Sequence, residues 1–278
     1  MKDFSRRIVY ITGGSSGIGL STAELLAGQG ADIIIFARNR KRMDEAVRKI
    51  KEKRKDASQR VDMMRMDVSD PRDVPRAIGR AVKTFGPPDV LIASAGIGSA
   101  DVFENISAKT FDSIMKTNVY GVRETVAAAL PYMKGRGGHM VLMSSEAGRI
   151  GMYGYTAYST SKYALVGLAE CLRAEFKRYR IGVSVVCPPE VKTPFLEWET
   201  KTIPPEARMV KSFAGLLDPE TVARATVRGI RKGKFLIVPG AMARLMYFLH
   251  RHTNGRATRM SSDLVASFAR WRAERRAK

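Results

Sequence analysis

Short runs rich in apolar residues punctuate this chain at 8–11, 33–37, 61–66, 90–92, 140–143, 183–186 and 235–238. Each has the length of a strand, and near-continuous apolarity marks a strand covered on both faces. Between the runs, apolar residues recur at helical spacing. Leu20, Ala23, Leu25, Leu26 and Ala27 follow the first run, and Ala164, Leu165, Leu168 and Leu172 precede the sixth. Further helices are predicted over 41–55, where the outer face is strongly charged and solvated, from 108 onward, and over 219–232. Alternating strand and helix predicts an α/β fold, a doubly wound parallel sheet of about seven strands with helices on both faces. Such a fold accommodates residues 1–239 as one domain, and 240–278 lies beyond its last strand as a helical tail.

The first run leads directly into Thr12-Gly13-Gly14-Ser15-Ser16-Gly17-Ile18-Gly19 and then into a helix. Strand, glycine-rich turn and helix N-terminus together make a seat for a pyrophosphate, because glycines let the backbone approach and the helix start favours negative charge. Gly13, Ser15, Ser16, Gly17, Ile18 and Gly19 are therefore candidate cofactor contacts. A motif of this kind standing alone would equally be a plain glycine-rich turn. At the end of the second strand stands Arg38, and no acidic residue lies between 33 and 39 to hold a ribose 2′-hydroxyl. An arginine in that place can accept the 2′-phosphate of NADP, so NADPH/NADP is the expected cofactor. Arg40, Lys41 and Arg42 read as the basic start of a charged helix.

Tyr158 and Lys162 are four residues apart, which stacks them on one helix face. Ser145 follows the apolar run 140–143, at the strand end where open α/β sheets bind ligands. A free tyrosine has a pKa of about 10, and a neighbouring ammonium favours its phenolate. The serine hydroxyl can bond the same substrate oxygen. The plainer reading is an amphipathic helix with an exposed lysine.

The TGxxxGxG turn occurring together with Ser145, Tyr158 and Lys162 resembles the short-chain dehydrogenase/reductase family, over roughly residues 6–240. The resemblance implies a Rossmann fold and a catalytic tetrad of Asn118, Ser145, Tyr158 and Lys162. Asn118, within Thr117-Asn118-Val119-Tyr120-Gly121, would kink its helix. Tyr158 would donate a proton, Ser145 would orient the carbonyl, and Lys162 would hold the ribose and lower the tyrosine pKa. Asp67 would cap the adenine, Thr193 would contact the nicotinamide carboxamide, and Val68, Ala95, Gly96, Pro188 and Val191 would border the cofactor. Ala93 stands where the family usually has an asparagine, which leaves one sheet contact to be supplied otherwise. A narrower resemblance, to the 3-ketosphinganine reductases, rests on four stretches: Pro188-Pro189 with Thr193-Pro194, Gly154-Tyr155-Thr156-Ala157-Tyr158, Gly167-Leu168-Ala169-Glu170 and Pro205-Glu206-Ala207-Arg208. It implies NADPH-dependent reduction of a 3-keto group on a long-chain lipid. A 3-oxoacyl-carrier-protein reductase, or another carbonyl or alcohol oxidoreductase, is the alternative. A nucleotide-sensing regulator on an inactive scaffold is disfavoured by the intact tetrad.

Charge changes the picture of partners. A net +21 calls for something anionic: a lipid surface, an acidic carrier or nucleic acid, and no nucleic-acid recognition motif accompanies it. Residues 240–278 hold nine Lys/Arg against Asp263 and Glu274. One apolar face there is formed by Leu245, Met246, Phe248 and Leu249, and a second by Leu264, Val265, Phe268 and Trp271. Basic amphipathic helices lie on anionic membranes, although such a pair can equally pack on the body or on another subunit. A homo-oligomer, dimer or tetramer, is expected. Residues 195–215, with Phe195, Leu196, Trp198, Ile203, Met209, Val210 and Phe213, are the expected substrate lid. Cys171 and Cys187 read as small core residues rather than a disulfide framework, which suits a reducing cytosol. The polar start gives no secretory signal, and no apolar run reaches the roughly 18 residues of a membrane span. A cytoplasmic location, with peripheral attachment at most, is the expectation; no metal site is expected.

Overall fold

The structure is a computed structural model that describes residues 1, 3–199, 203 and 215–276; at 197–199 and over part of the last helix it describes the backbone alone. In chain order the first half runs β1 (Ile8–Thr12), α1 (Gly17–Ala27), β2 (Asp32–Ala37), α2 (Arg40–Glu52), β3 (Val61–Arg65), α3 (Asp73–Phe85), β4 (Val90–Ala93), α4 (Ala108–Met115) and α5 (Gly121–Met133). The second half runs β5 (Gly138–Met143), α6 (Thr156–Glu175), β6 (Ile181–Val186), β7 (Glu190–Val191), α7 (Pro194–Glu199), β8 (Leu216–Leu217), α8 (Pro219–Arg231), β9 (Leu236–Ile237), α9 (Ala241–His252) and α10 (Arg256–Arg276). Among the described residues one parallel sheet of seven strands forms, in the order β3-β2-β1-β4-β5-β6-β9.

The apolar runs are continuous because each strand is packed on both faces. Tyr10, Ile34, Phe36, Leu91, Met140 and Leu142 face one way, against Ala77 and Ile78 of α3, Val126 of α5 and Leu165 of α6. Their neighbours Val9, Ile11, Ile33, Ile35, Ile92 and Val141 face the other way, against Ala23 and Leu26 of α1, Ala46 of α2, and Val222 and Val227 of α8. The period-2 alternation of a strand thus divides one apolar run between two cores. At about 25 cal/mol per Å² of apolar surface removed from water, these two layers supply the main stabilisation of the fold.

After β3 the chain returns to the centre and adds β4 on the far side of β1. The order therefore reverses between β1 and β4, and the crevice outside their C-terminal ends is where such sheets bind ligands. Two details differ from the sequence expectation. The helix predicted to end near residue 55 stops at Glu52, and Asn39 caps its start by accepting from the Arg42 N–H at 3.0 Å. Cys171 is exposed on α6 rather than part of the core, whereas Cys187 is buried. The spacing of α6 turns its apolar stripe toward Leu165 and Ala169 and leaves position 171 on the outer face.

Candidate active site

The glycine-rich turn sits between β1 and α1. Gly13 has φ +68, and a Cβ there would lie 2.8 Å from the Ala95 backbone nitrogen. Gly17 has φ +54, and its Cβ would lie 2.9 Å from the Thr193 methyl. Glycine is thus required twice, by the left-handed backbone and by the close approach of neighbouring loops. Ser16 precedes α1 without making a side-chain cap, so the first-turn amides of an 11-residue helix face the crevice uncapped. That arrangement fits a pyrophosphate. Beside Ala93, the buried Thr12 hydroxyl accepts from the Ser94 and Ala95 amides, each at 3.2 Å, and ties the glycine-rich turn to the end of β4.

A cleft of about 830 Å³ opens above these strand ends. Every cofactor position expected from the sequence lines it: the glycine-rich turn, Arg38, Asp67, Val68, Ala95, Gly96, Pro188, Val191 and Thr193, together with Ser145, Tyr158 and Lys162. Asp67 is anchored by the Ser69 amide at 3.0 Å and the Ser69 hydroxyl at 2.7 Å. Arg38 approaches Asp67 at 3.9 Å but remains about two-thirds exposed, so this loose pair leaves its guanidinium available to an anion. Arg42, read from sequence only as part of a charged helix, also lines this end, from the first turn of α2.

At the other end, Ser145 stands just beyond β5 in extended conformation and caps a single turn, accepting from the Ala147 N–H at 3.2 Å. Tyr158 and Lys162 lie on the first turns of α6. Lys162 is buried, its Nζ donates to the Met143 carbonyl at 2.9 Å, and it lies 5.5 Å from the centre of the Tyr158 ring. Burial lowers the lysine pKa to about 8, so the ammonium still predominates at neutral pH. The Ser144 hydroxyl donates to the Lys162 carbonyl at 2.7 Å, fixing α6 against the end of β5.

Asn118 does not line the cleft. It is fully buried behind it, in a π-turn over Lys116–Tyr120 that joins α4 to α5. Its Oδ1 accepts from the Ile97 N–H at 2.9 Å. Its Nδ2 donates to the Ile97 carbonyl at 2.8 Å and to the Ser161 hydroxyl at 3.0 Å. Ser161 in turn donates to the Tyr158 carbonyl at 2.7 Å. The expected helix kink is therefore a π-bulge, a distortion frequent at functional sites.

The substrate end contains residues that sequence reasoning missed. Glu146, immediately after Ser145, lines the cleft, as do Met152, Tyr155 and Met246. Phe195 and Leu196 of the expected lid line it too, with the Phe195 ring 5.7 Å from that of Tyr158. Ile203 is buried beside Tyr155. The Trp198 side chain, Met209, Val210, Phe213 and the stretch 205–208 lie outside the described residues. The tail packs on the body: the Arg149 guanidinium lies 4.6 Å from the Tyr247 ring centre and donates to its hydroxyl, and Thr258 and Ser262 reach the cleft. Met246, expected on the same face as Leu245, Phe248 and Leu249, instead turns inward, while those three stay exposed with Met242.

The profile of the short chain dehydrogenase family matches residues 7–203. The chain belongs to that family. A 3-ketodihydrosphingosine reductase of Bos taurus is 38% identical over 229 residues, covering 82% of this chain and 69% of its own. A 3-dehydrosphinganine reductase of Danio rerio is 37% identical over the same shares. Among solved structures, a short chain dehydrogenase/reductase from Burkholderia phymatum in complex with NAD superposes with a TM-score of 0.80 at 25% identity, covering 91% of this chain and 95% of that one. The short-chain dehydrogenase described here is accordingly an oxidoreductase that uses a nicotinamide dinucleotide and a small-molecule substrate. Among its described residues no helix is long and apolar enough to cross a membrane.

Proposed function

We propose that the enzyme reduces the 3-keto group of a long-chain lipid with NADPH, the reaction being 3-ketosphinganine to sphinganine. The observation that carries this reading is a cleft holding Ser145, Tyr158 and Lys162 in a chain 38% identical to a 3-ketodihydrosphingosine reductase. The bound cofactor supplies a hydride, two electrons and a proton, to the carbonyl carbon. Tyr158 gives its hydroxyl proton to the carbonyl oxygen, completing the alcohol. Ser145 donates to that same oxygen and orients it. The Lys162 ammonium, beside the Tyr158 ring, favours the phenolate left after proton transfer. Asn118 positions rather than reacts, through Ser161 and the Tyr158 carbonyl. The direct test is NADPH oxidation with 3-ketosphinganine against a 3-oxoacyl thioester; turnover of the thioester alone would favour the carrier-protein reductase, whose acidic partner the +21 charge would also suit.

NADPH is preferred to NADH in this reading, with Arg38 meeting the 2′-phosphate and Arg42 beside it. Arg38→Asp should weaken NADPH by about 2 kcal/mol or more, roughly thirtyfold, and leave NADH within a few-fold. Equal binding of both cofactors by the wild type, read by fluorescence titration, would remove Arg38 from this role.

Residues 1–239 carry cofactor and chemistry, and 240–278 closes the substrate end while offering its outer side to an anionic membrane. The enzyme is then cytoplasmic, peripheral on the membrane face, and a homo-oligomer. The exposed Met242, Leu245, Phe248 and Leu249 form one stripe of α9, flanked by Arg244 and Arg251. Each Lys or Arg near an anionic surface contributes about 1 kcal/mol, and the attraction weakens with salt. Co-sedimentation with anionic vesicles should exceed that with neutral ones and fall on adding salt. A chain ending at Pro239 should lose it, and undiminished vesicle binding by that chain would exclude the tail.

A further inference from the structure

We propose that Glu146 recognises the ammonium group adjacent to the substrate carbonyl, making the enzyme selective for α-amino ketones over plain 3-keto chains. The inference rests on the reductase reading above and deepens it. In 3-ketosphinganine the amine is carried on C2, next to the C3 carbonyl. Whatever orients that carbonyl must therefore have a partner for a cation one carbon away. Ser145 is the orienting group, and Glu146 is its neighbour in the chain, with Cα atoms about 3.8 Å apart.

The backbone at Glu146 is fixed. Its N–H donates to the Pro188 carbonyl at 2.8 Å, and its carbonyl accepts from the Arg149 N–H at 2.8 Å and the Ile150 N–H at 3.0 Å. Glu146 lines the cleft, and Ile150, Met152 and Met246 are among the apolar residues of the same lining. No described residue gives its carboxyl a hydrogen bond or an ion pair. The nearby cations are committed elsewhere: Lys162 to the Met143 carbonyl, and Arg149 to Tyr247 and Glu170. Burial holds the carboxyl up at about 7. A half-buried carboxylate without a partner is costly, and a cation entering the cleft relieves that cost. Glu190, also in the lining, already has a partner. In a chain of net +21, a local acid offsets the repulsion that a cationic headgroup meets on approach.

The test uses the enzyme with NADP bound and two ligands of equal chain length: sphinganine, and the 1,3-diol lacking the amine. Wild type should bind sphinganine about tenfold to a hundredfold more tightly, the scale of a charge-assisted hydrogen bond. Glu146→Gln should abolish that difference, with diol and NADP binding unchanged. Loss of both ligands in equal measure would make Glu146 structural, and would overturn the proposal. So would a wild type that binds the two ligands equally, a result independent of whether the variant folds. The reductase reading fails separately: amine selectivity without turnover of 3-ketosphinganine strikes the reaction and keeps the site, whereas turnover without amine selectivity does the reverse.

Discussion

Tyr158→Phe should lower kcat by about a hundredfold or more while leaving NADPH binding intact. The size follows from the loss of a positioned general acid, which contributes on the order of 10² to 10⁴ in rate. The substitution removes the hydroxyl and keeps the ring with its packing. Tyr155 lies against it with centroids 6.2 Å apart and Phe195 at 5.7 Å, and phenylalanine preserves both contacts. Lys162 keeps its bond to the Met143 carbonyl. Single-turnover NADPH oxidation separates chemistry from release, and fluorescence titration checks the cofactor. Turnover within a few-fold of wild type would remove Tyr158 as the proton donor and with it the mechanism.

Legibility from sequence followed the range of the interactions involved. The sheet was readable because each strand meets apolar layers on both faces, and a run such as Ile33 to Phe36 records that in consecutive letters. The glycine-rich turn was readable because backbone conformation there excludes most side chains. What stayed hidden depended on distant partners. Thr12 bonds Ser94 and Ala95, more than eighty residues away, and a threonine ending a strand gives no sign of it. β7 and β8 are two residues each, too short to leave a period. In α9 the amphipathic pattern was visible but its orientation was not: Met246 and Leu245 are adjacent and equally apolar, and the Arg149–Tyr247 contact that helps to seat the helix joins residues about a hundred positions apart. Glu146 looked like an ordinary loop residue because its place is set by distant chain, its N–H donating to the Pro188 carbonyl, which the local sequence does not announce.

Asn118→Ala should cost about 3 kcal/mol of stability and depress turnover further than that loss explains. Alanine strips the Ile97 N–H of its acceptor and the Ile97 carbonyl of its donor, and it removes one partner of Ser161. Each buried polar group left unmatched costs about 1–3 kcal/mol, and Asn118 is wholly buried, so water does not readily replace the amide. The π-turn makes the loss harder to absorb. Gly121 N–H bonds back to the Lys116 carbonyl there, and the extra residue in the turn aims the Asn118 side chain at the Ile97 loop. Urea unfolding should show a lower midpoint with an unchanged slope. The excess loss of turnover arises because Ser161 anchors the carbonyl of Tyr158 itself. A double-mutant cycle with Ser161→Ala isolates this route, and the two changes should be non-additive by about 1 kcal/mol because they share one hydrogen bond. Strict additivity in both stability and rate would mean that Asn118 supports the loop at Ile97 without positioning the first turn of α6.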